Sequence, residues 1–237
     1  MSHFDTIGLP ADTPAKYLKV LDQAAAGALM VHEIYASVQG ESTHAGRPCT
    51  FVRLSACHLR CRYCDTPHAF GQGESMTQSQ VLERVRGLAP TLVELTGGEP
   101  LLQAEVLPLM TVLCDSGYEV LLETSGSLDI RPVDPRVKRI VDLKTPSSGE
   151  VDRNRWDNLE ALRSHDEVKL VLGSREDYEW ARNVVRGRQW PCPVLMGCVF
   201  DSLEPRRLVD WILEDRLDVR FQLQMHKFIW EPSARGV

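Results

Sequence analysis

The chain has 237 residues, of which 43% are hydrophobic and 25% charged, and a formal net charge of −6. A chain of this length builds one sizeable core, so a single α/β domain is the default over two small ones. No apolar run is long enough to span a membrane, no basic region followed by an apolar core opens the chain, and the acidic balance argues against non-specific nucleic-acid binding.

A cytoplasmic protein with neither membrane nor nucleic-acid partners is therefore expected. Residues 1–28, rich in Ala, Asp, Thr and Pro, read as an N-terminal extension with a short helix over 15–26, and residues 29–237 read as one domain. Residues 50–55 alternate like a strand. A helix over 77–88 opens with Thr77 and places Gln80 three residues later, the pattern of a capping box. A strand over 92–96 runs into Gly97-Gly98. A helix over 105–116 is stopped by Gly117. Then come strands over 119–124 and 139–143, a helix over 154–163, a strand over 167–172 and a helix over 175–186. A strand over 192–200, a helix over 204–214 and a strand over 220–225 close the series. Strands alternating with helices imply right-handed βαβ units and a mainly parallel sheet. In such sheets ligands sit at the carboxyl ends of the strands, and each polar motif below follows a predicted strand.

Seven cysteines in a chain without an export signal are not expected to form disulfides. Cys49, Cys114, Cys192 and Cys198 are scattered and read as small buried hydrophobes. The other three form Cys57-His-Leu-Arg-Cys61-Arg-Tyr-Cys64 on a loop after the 50–55 strand. Soft thiolates suit an iron–sulfur cluster or zinc. Three local ligands leave one metal position open, whereas a structural zinc site closes with four; His58 or His68 could supply the fourth.

Cysteines spaced Cys-x3-Cys-x2-Cys with Tyr63 before the last resemble the signature of radical S-adenosylmethionine enzymes. Thr96-Gly97-Gly98-Glu99-Pro100, one βα unit later, strengthens the likeness, since glycines after a strand let the backbone approach a ligand. The resemblance implies a 4Fe–4S cluster on Cys57, Cys61 and Cys64. Its open iron would chelate S-adenosylmethionine, and one electron would cleave the sulfonium to a 5′-deoxyadenosyl radical.

Further motifs between Val31 and His226 resemble one family of that superfamily, 7-carboxy-7-deazaguanine synthase of queuosine and deazapurine biosynthesis. The resemblance implies that Val38, Gln39, Gly40 and Glu41 present main-chain and side-chain groups to a pterin ring, where a carboxylate can accept from N–H groups. It implies that Arg53 holds the substrate carboxylate through its guanidinium fork; Arg47 is a second candidate placed on the loop surface. Thr66, after Cys64-Asp65, would ligate a magnesium ion, which prefers hard oxygen ligands. Thr96 would face the substrate, as would His226 of the pair His226-Lys227. Gly98, Glu123, Ser125 and the segment Asp142, Leu143, Lys144 would contact S-adenosylmethionine; many members have Ser-Pro-Lys where this chain has Asp142-Leu143-Lys144.

The implied reaction is radical ring contraction of 6-carboxy-5,6,7,8-tetrahydropterin to 7-carboxy-7-deazaguanine with loss of ammonia, a carbon–nitrogen lyase chemistry needing no protein nucleophile. A flavodoxin-like or ferredoxin-like electron donor and a homodimer are family expectations. The implied fold is the radical S-adenosylmethionine fold, an incomplete (β/α)6-type barrel with mainly parallel strands. Two competing readings are a glycyl-radical activase, which acts on a protein partner, and a non-catalytic metal-binding module.

Overall fold

Strand periodicity organises the computed structural model, which describes residues 9–237. The strands are β1 (Ala28–Val38), β2 (Pro48–Leu54), β3 (Glu74–Thr77), β4 (Leu92–Gly97), β5 (Glu119–Thr124), β6 (Lys138–Leu143), β7 (Glu167–Leu172), β8 (Val194–Cys198) and β9 (Arg220–Phe221). They form one sheet in the order β3-β1-β2-β4-β5-β6-β7-β8-β9. β1 runs antiparallel to β2 and β3, and every pair from β2–β4 onward is parallel. The outer strands β3 and β9 do not pair with each other, so the barrel stays open, as the incomplete-barrel expectation required.

Each parallel strand carries two sets of side chains, because successive residues point to opposite faces. One set, including Val93, Leu95, Leu122, Val141, Leu143, Val168 and Leu170, packs in the main core with the helices α1 (Gln78–Arg86), α2 (Val106–Asp115), α3 (Arg175–Arg186) and α4 (Pro205–Glu214). α2 places Val106, Leu109, Met110 and Leu113 there at helical spacing; each buried side chain of this kind contributes about 1.5–3 kcal/mol. The other set points into the barrel. Its lower layer is apolar, with Cys49, Phe51, Leu92, Leu121 and Ile140. Two residues further along the same strands stand Arg53, Glu94, Glu123 and Asp142. The barrel interior is thus closed at one end and polar at the end where ligands bind.

The predicted capping box is present: Thr77 accepts from the Gln80 amide, and Gln80 reaches back to the Thr77 amide. Beyond β1 and β3, which have no counterpart among the predicted strands, three predicted segments differ from expectation. Residues 15–26 form two 3-10 helices, Ala15–Tyr17 and Lys19–Gln23, instead of one α-helix. Leu18, at the junction of the two, and Val20, in the second, both reach the core. The predicted helix over 154–163 is a 3-10 helix, Trp156–Ala161; it is tied down by Asn158, whose amide donates to the Gly126 and Leu128 carbonyls while its oxygen accepts from the Ile130 amide. The predicted strand over 220–225 stops at Phe221, and the chain turns into the short helix α5 (His226–Ile229) as Met225 donates its amide to the Gly40 carbonyl. No helix among the described residues is long and apolar enough to cross a membrane.

Candidate active site

The cysteine loop leaves β2 against the end of β4. Ala56, with φ of 72°, turns the chain, and its carbonyl accepts the Glu99 amide while its own amide donates to Ala69. Gly98 lies so close that a Cβ there would sit 2.0 Å from the Ala56 oxygen and 2.9 Å from Cys57 Cβ. Glu99 is fully buried yet satisfied. It accepts from the Leu101 and Ser125 amides and from the hydroxyls of Thr124 and Ser125, so it ties the end of β4 to the end of β5. From there Ser125, Ser127 and His58 continue as a hydrogen-bonded chain back to the cysteine loop.

Cys57, Cys61 and Cys64 line a cavity of about 570 Å³ at the carboxyl ends of the strands. Val38, Gln39, Gly40, Glu41, Arg53, Thr66, Thr96, Gly98, Glu123, Ser125, Asp142, Lys144 and His226 line it too. Leu143 does not: its side chain is buried in the main core, so only its backbone remains for a ligand. Arg47 lies outside the cavity and pairs with Glu119 at 2.7 Å on the surface.

A charged network forms one wall. Lys169, from the middle of β7, donates to Glu41 at 3.0 Å and to Glu123, and lies 4.0 Å from Asp142. Burial opposes its charge, but the surrounding carboxylates outweigh burial and raise its pKa well above the ordinary lysine value. Burial likewise works against ionised Glu41, yet Lys169 and the Gln224 amide hold its carboxyl below the ordinary range. Glu94 behaves in the opposite way. It is fully buried beneath Glu123 and Glu41, and burial with their repulsion pushes its pKa well above the ordinary value; Gln39 donates to it. Asp142 pairs with Lys144 at 2.8 Å through Oδ2, while its buried Oδ1 has no hydrogen-bond partner. On the other side Arg53 donates from Nε to Glu33 at 2.7 Å and from Nη2 to the Tyr35 hydroxyl at 3.0 Å. Gly40 meets His226 edge-on, since a Cβ at Gly40 would fall 2.4 Å from His226 Nδ1.

Several lining residues escaped the sequence reading: Lys169, Glu94, Glu33, Tyr35 and the tail from Pro232 to Val237. The one signal available was spacing. Glu94, Glu123, Asp142 and Lys169 each stand two residues beyond an inward position of their strand.

Residues 52–149 match the model of the Radical SAM superfamily. The chain is 48% identical over 214 residues to the 7-carboxy-7-deazaguanine synthase of Chlorobaculum tepidum, covering 88% of this chain and 97% of that one. It is 45% identical over 226 residues to the synthase of the same name from Koribacter versatilis, covering 88% and 100%. The chain belongs to the 7-carboxy-7-deazaguanine synthase family. In fold it is similar to QueE from Escherichia coli, with a TM-score of 0.71 over 84% of this chain and 95% of that one at 22% identity. As a member of this family it is an enzyme of the radical S-adenosylmethionine superfamily, which sets aside the isolated metal-binding module.

The superfamily implies a 4Fe–4S cluster and S-adenosylmethionine, and the synthase fold here suits both. Burial pushes the Cys57 thiol up to about 12 and the Cys61 thiol to about 11, so thiolates here need a metal beside them, and a coordinating thiol is deprotonated outright. The unpartnered Asp142 Oδ1 is an acceptor for the amino or hydroxyl donors that S-adenosylmethionine carries.

Proposed function

We infer that the chain is a 7-carboxy-7-deazaguanine synthase, a carbon–nitrogen lyase that contracts the ring of 6-carboxy-5,6,7,8-tetrahydropterin with loss of ammonia. The observation that carries this reading is one cavity in which Arg53 and the Glu41–Lys169–Glu123 network share walls with the three cysteines. Cys57, Cys61 and Cys64 would hold the cluster, which when bound would supply the one electron that cleaves the sulfonium of S-adenosylmethionine to methionine and a 5′-deoxyadenosyl radical.

The protein's own residues bind and position. Arg53 keeps Nε on Glu33 and offers its outer nitrogens to the substrate carboxylate. Glu41, held ionised by Lys169, accepts from the amino and ring N–H groups of the pterin, while Glu123, on the same amine, faces the S-adenosylmethionine side. Gln39 shapes the same edge by linking the Glu41 amide to Glu94. Val38, Thr96 and His226 fill in the substrate side, with His226 docked on Gly40. Gly98, Ser125, Asp142, Lys144 and the Leu143 backbone take the S-adenosylmethionine side. Thr66, whose hydroxyl lies 3.8 Å from Cys64 Sγ, would ligate magnesium beside the substrate. The tail residues Pro232 to Val237 narrow the mouth and help keep water from reactive carbon centres. No residue acts as a nucleophile; the contribution is orientation. Residues 29–237 form the catalytic domain and the first 28 an extension, with a flavodoxin- or ferredoxin-like donor and a homodimeric state completing the reading.

Anaerobic reconstitution with iron and sulfide, then incubation with S-adenosylmethionine, reductant, magnesium and the carboxylated tetrahydropterin, tests it. Formation of 7-carboxy-7-deazaguanine is expected. Cleavage of S-adenosylmethionine with the pterin left intact would instead favour another radical enzyme.

A further inference from the structure

At the edge of the cavity stand His32, Glu33 and His68, of which only Glu33 has a part in the chemistry above, as the partner of Arg53. A β-bulge interrupts the β1–β2 ladder between Val31 and Glu33: Val31 pairs with Leu54 and Glu33 with Arg53, so His32 is an extra residue. Neighbours on a regular strand point to opposite faces, and a bulge re-aims them. Here the bulge turns Glu33 from the core face that Val31 occupies to the cavity face of Arg53. His68, in the 3-10 helix Pro67–Phe70 that follows the cysteine loop, meets the bulge from the other side. The His32 and His68 rings stand 5.1 Å apart between centroids, tilted by 54°. One ligand atom from each of His32, Glu33 and His68 lies within 4.8 Å of the others, and all three residues are half-buried.

We propose that His32, Glu33 and His68 form a binding site for a zinc-class divalent transition ion, separate from the cysteine triad. Two imidazoles and one carboxylate with an open position suit such ions, while magnesium prefers an all-oxygen shell. Atoms within 4.8 Å of one another close onto one ion at 2.0–2.1 Å with shifts under about 1 Å.

The surroundings prepare each ligand. His32 Nδ1 lies 3.1 Å from the Gln72 carbonyl, so it carries the proton and donates, leaving Nε2 as the free lone pair. A metal-binding histidine characteristically donates its other N–H to a carbonyl in this way. Glu33 Oε1 is engaged by Arg53 Nε, which leaves Oε2 for the ion. Among the described residues the His68 ring makes no hydrogen bond, so its nitrogens are open to a ligand, with the Arg53 and Arg235 guanidiniums nearby. The same guanidiniums oppose a cation; Arg53 is offset by Glu33, and Arg235 remains the main opposing charge. An ion held here would pin the turn after the cysteine loop to β1, and would fix Glu33 and through it Arg53.

The test uses the full chain with its cluster reconstituted and S-adenosylmethionine bound, so that the three cysteines are occupied. The protein is dialysed against zinc, then analysed for metal content and by X-ray absorption at the zinc edge. One zinc per chain is expected, with only nitrogen and oxygen neighbours near 2.0–2.1 Å. His68→Ala and His32→Gln should each weaken retention by about tenfold or more, with iron content unchanged as the check on folding. No zinc retained, sulfur neighbours at about 2.3 Å, or retention in both variants equal to that of the unaltered protein would overturn the site. If one variant fails to load its cluster, the other variant and the absorption spectrum of the unaltered protein still decide.

Discussion

Lys169 Nζ donates to Glu41 Oε2 at 3.0 Å, joining residues 128 positions apart and linking the middle of β7 to the loop after β1. The same amine holds Glu123, so one buried cation compensates two carboxylates that face the cavity. Replacing it with Met removes the cation from both half-buried acids and leaves Glu41 with its amide partner Gln224 alone to offset its charge. Lys169→Met should lower stability by about 3–5 kcal/mol, read from denaturant unfolding, and should abolish turnover of the pterin in whatever fraction folds.

Glu41 and Glu94 respond to pH in opposite senses. The folded state holds Glu41 below its ordinary value of 4.5, so its contribution is complete above that value and is lost as pH falls through the lowered one. Glu94 is raised well above 4.5, so its contribution is complete below that value and is lost as pH rises through the raised one. Glu94→Gln should therefore gain stability relative to the unaltered protein on going from about pH 5 to about pH 8. Unfolding midpoints at the two pH values check this; an unchanged difference would mean that Glu94 ionises without penalty.

Gly98 is a matter of space. A methyl there collides with the Ala56 carbonyl and crowds Cys57 Cβ. Gly98→Ala should cost about 1–3 kcal/mol of stability and displace the cysteine loop. Iron and sulfide per chain after reconstitution should fall with it, whereas a purely local effect would leave the loading intact.

Arg53→Lys keeps the charge and removes the fork. Loss of one charge-assisted hydrogen bond corresponds to a KM for the carboxylated pterin raised roughly 10- to 100-fold. Reductive cleavage of S-adenosylmethionine without pterin should be unchanged. A fall in cleavage with an unchanged KM would remove Arg53 from the substrate side.

Apart from the 154–163 segment, the strands and helices from α1 to α4 were legible because each combines a clear period with a start or stop signal, as at the Thr77–Gln80 box, Gly97-Gly98 and Gly117. The cysteine loop's place on the cavity wall was legible because the three cysteines are close together in the sequence. Lys169 and Glu94 were not, since a single polar residue inside an apolar strand reads as an outward position until the sheet curls and places it inside. The β1 bulge at His32 was equally hidden, because one extra residue leaves no mark on a short period. Residues 15–26 and 154–163 were read as helices from composition; Leu18, Val20 and Asn158 hold them in 3-10 form through contacts made only in the folded chain.

A single cavity is expected to hold both the radical source and the pterin. The most direct measurement uses substrate deuterated at C6, with reconstituted enzyme, S-adenosylmethionine and reductant, and follows the label by mass spectrometry. Deuterium at the 5′ carbon of S-adenosylmethionine or 5′-deoxyadenosine, together with 7-carboxy-7-deazaguanine, is predicted. Unlabelled 5′-deoxyadenosine with the deuterated pterin recovered intact would contradict it.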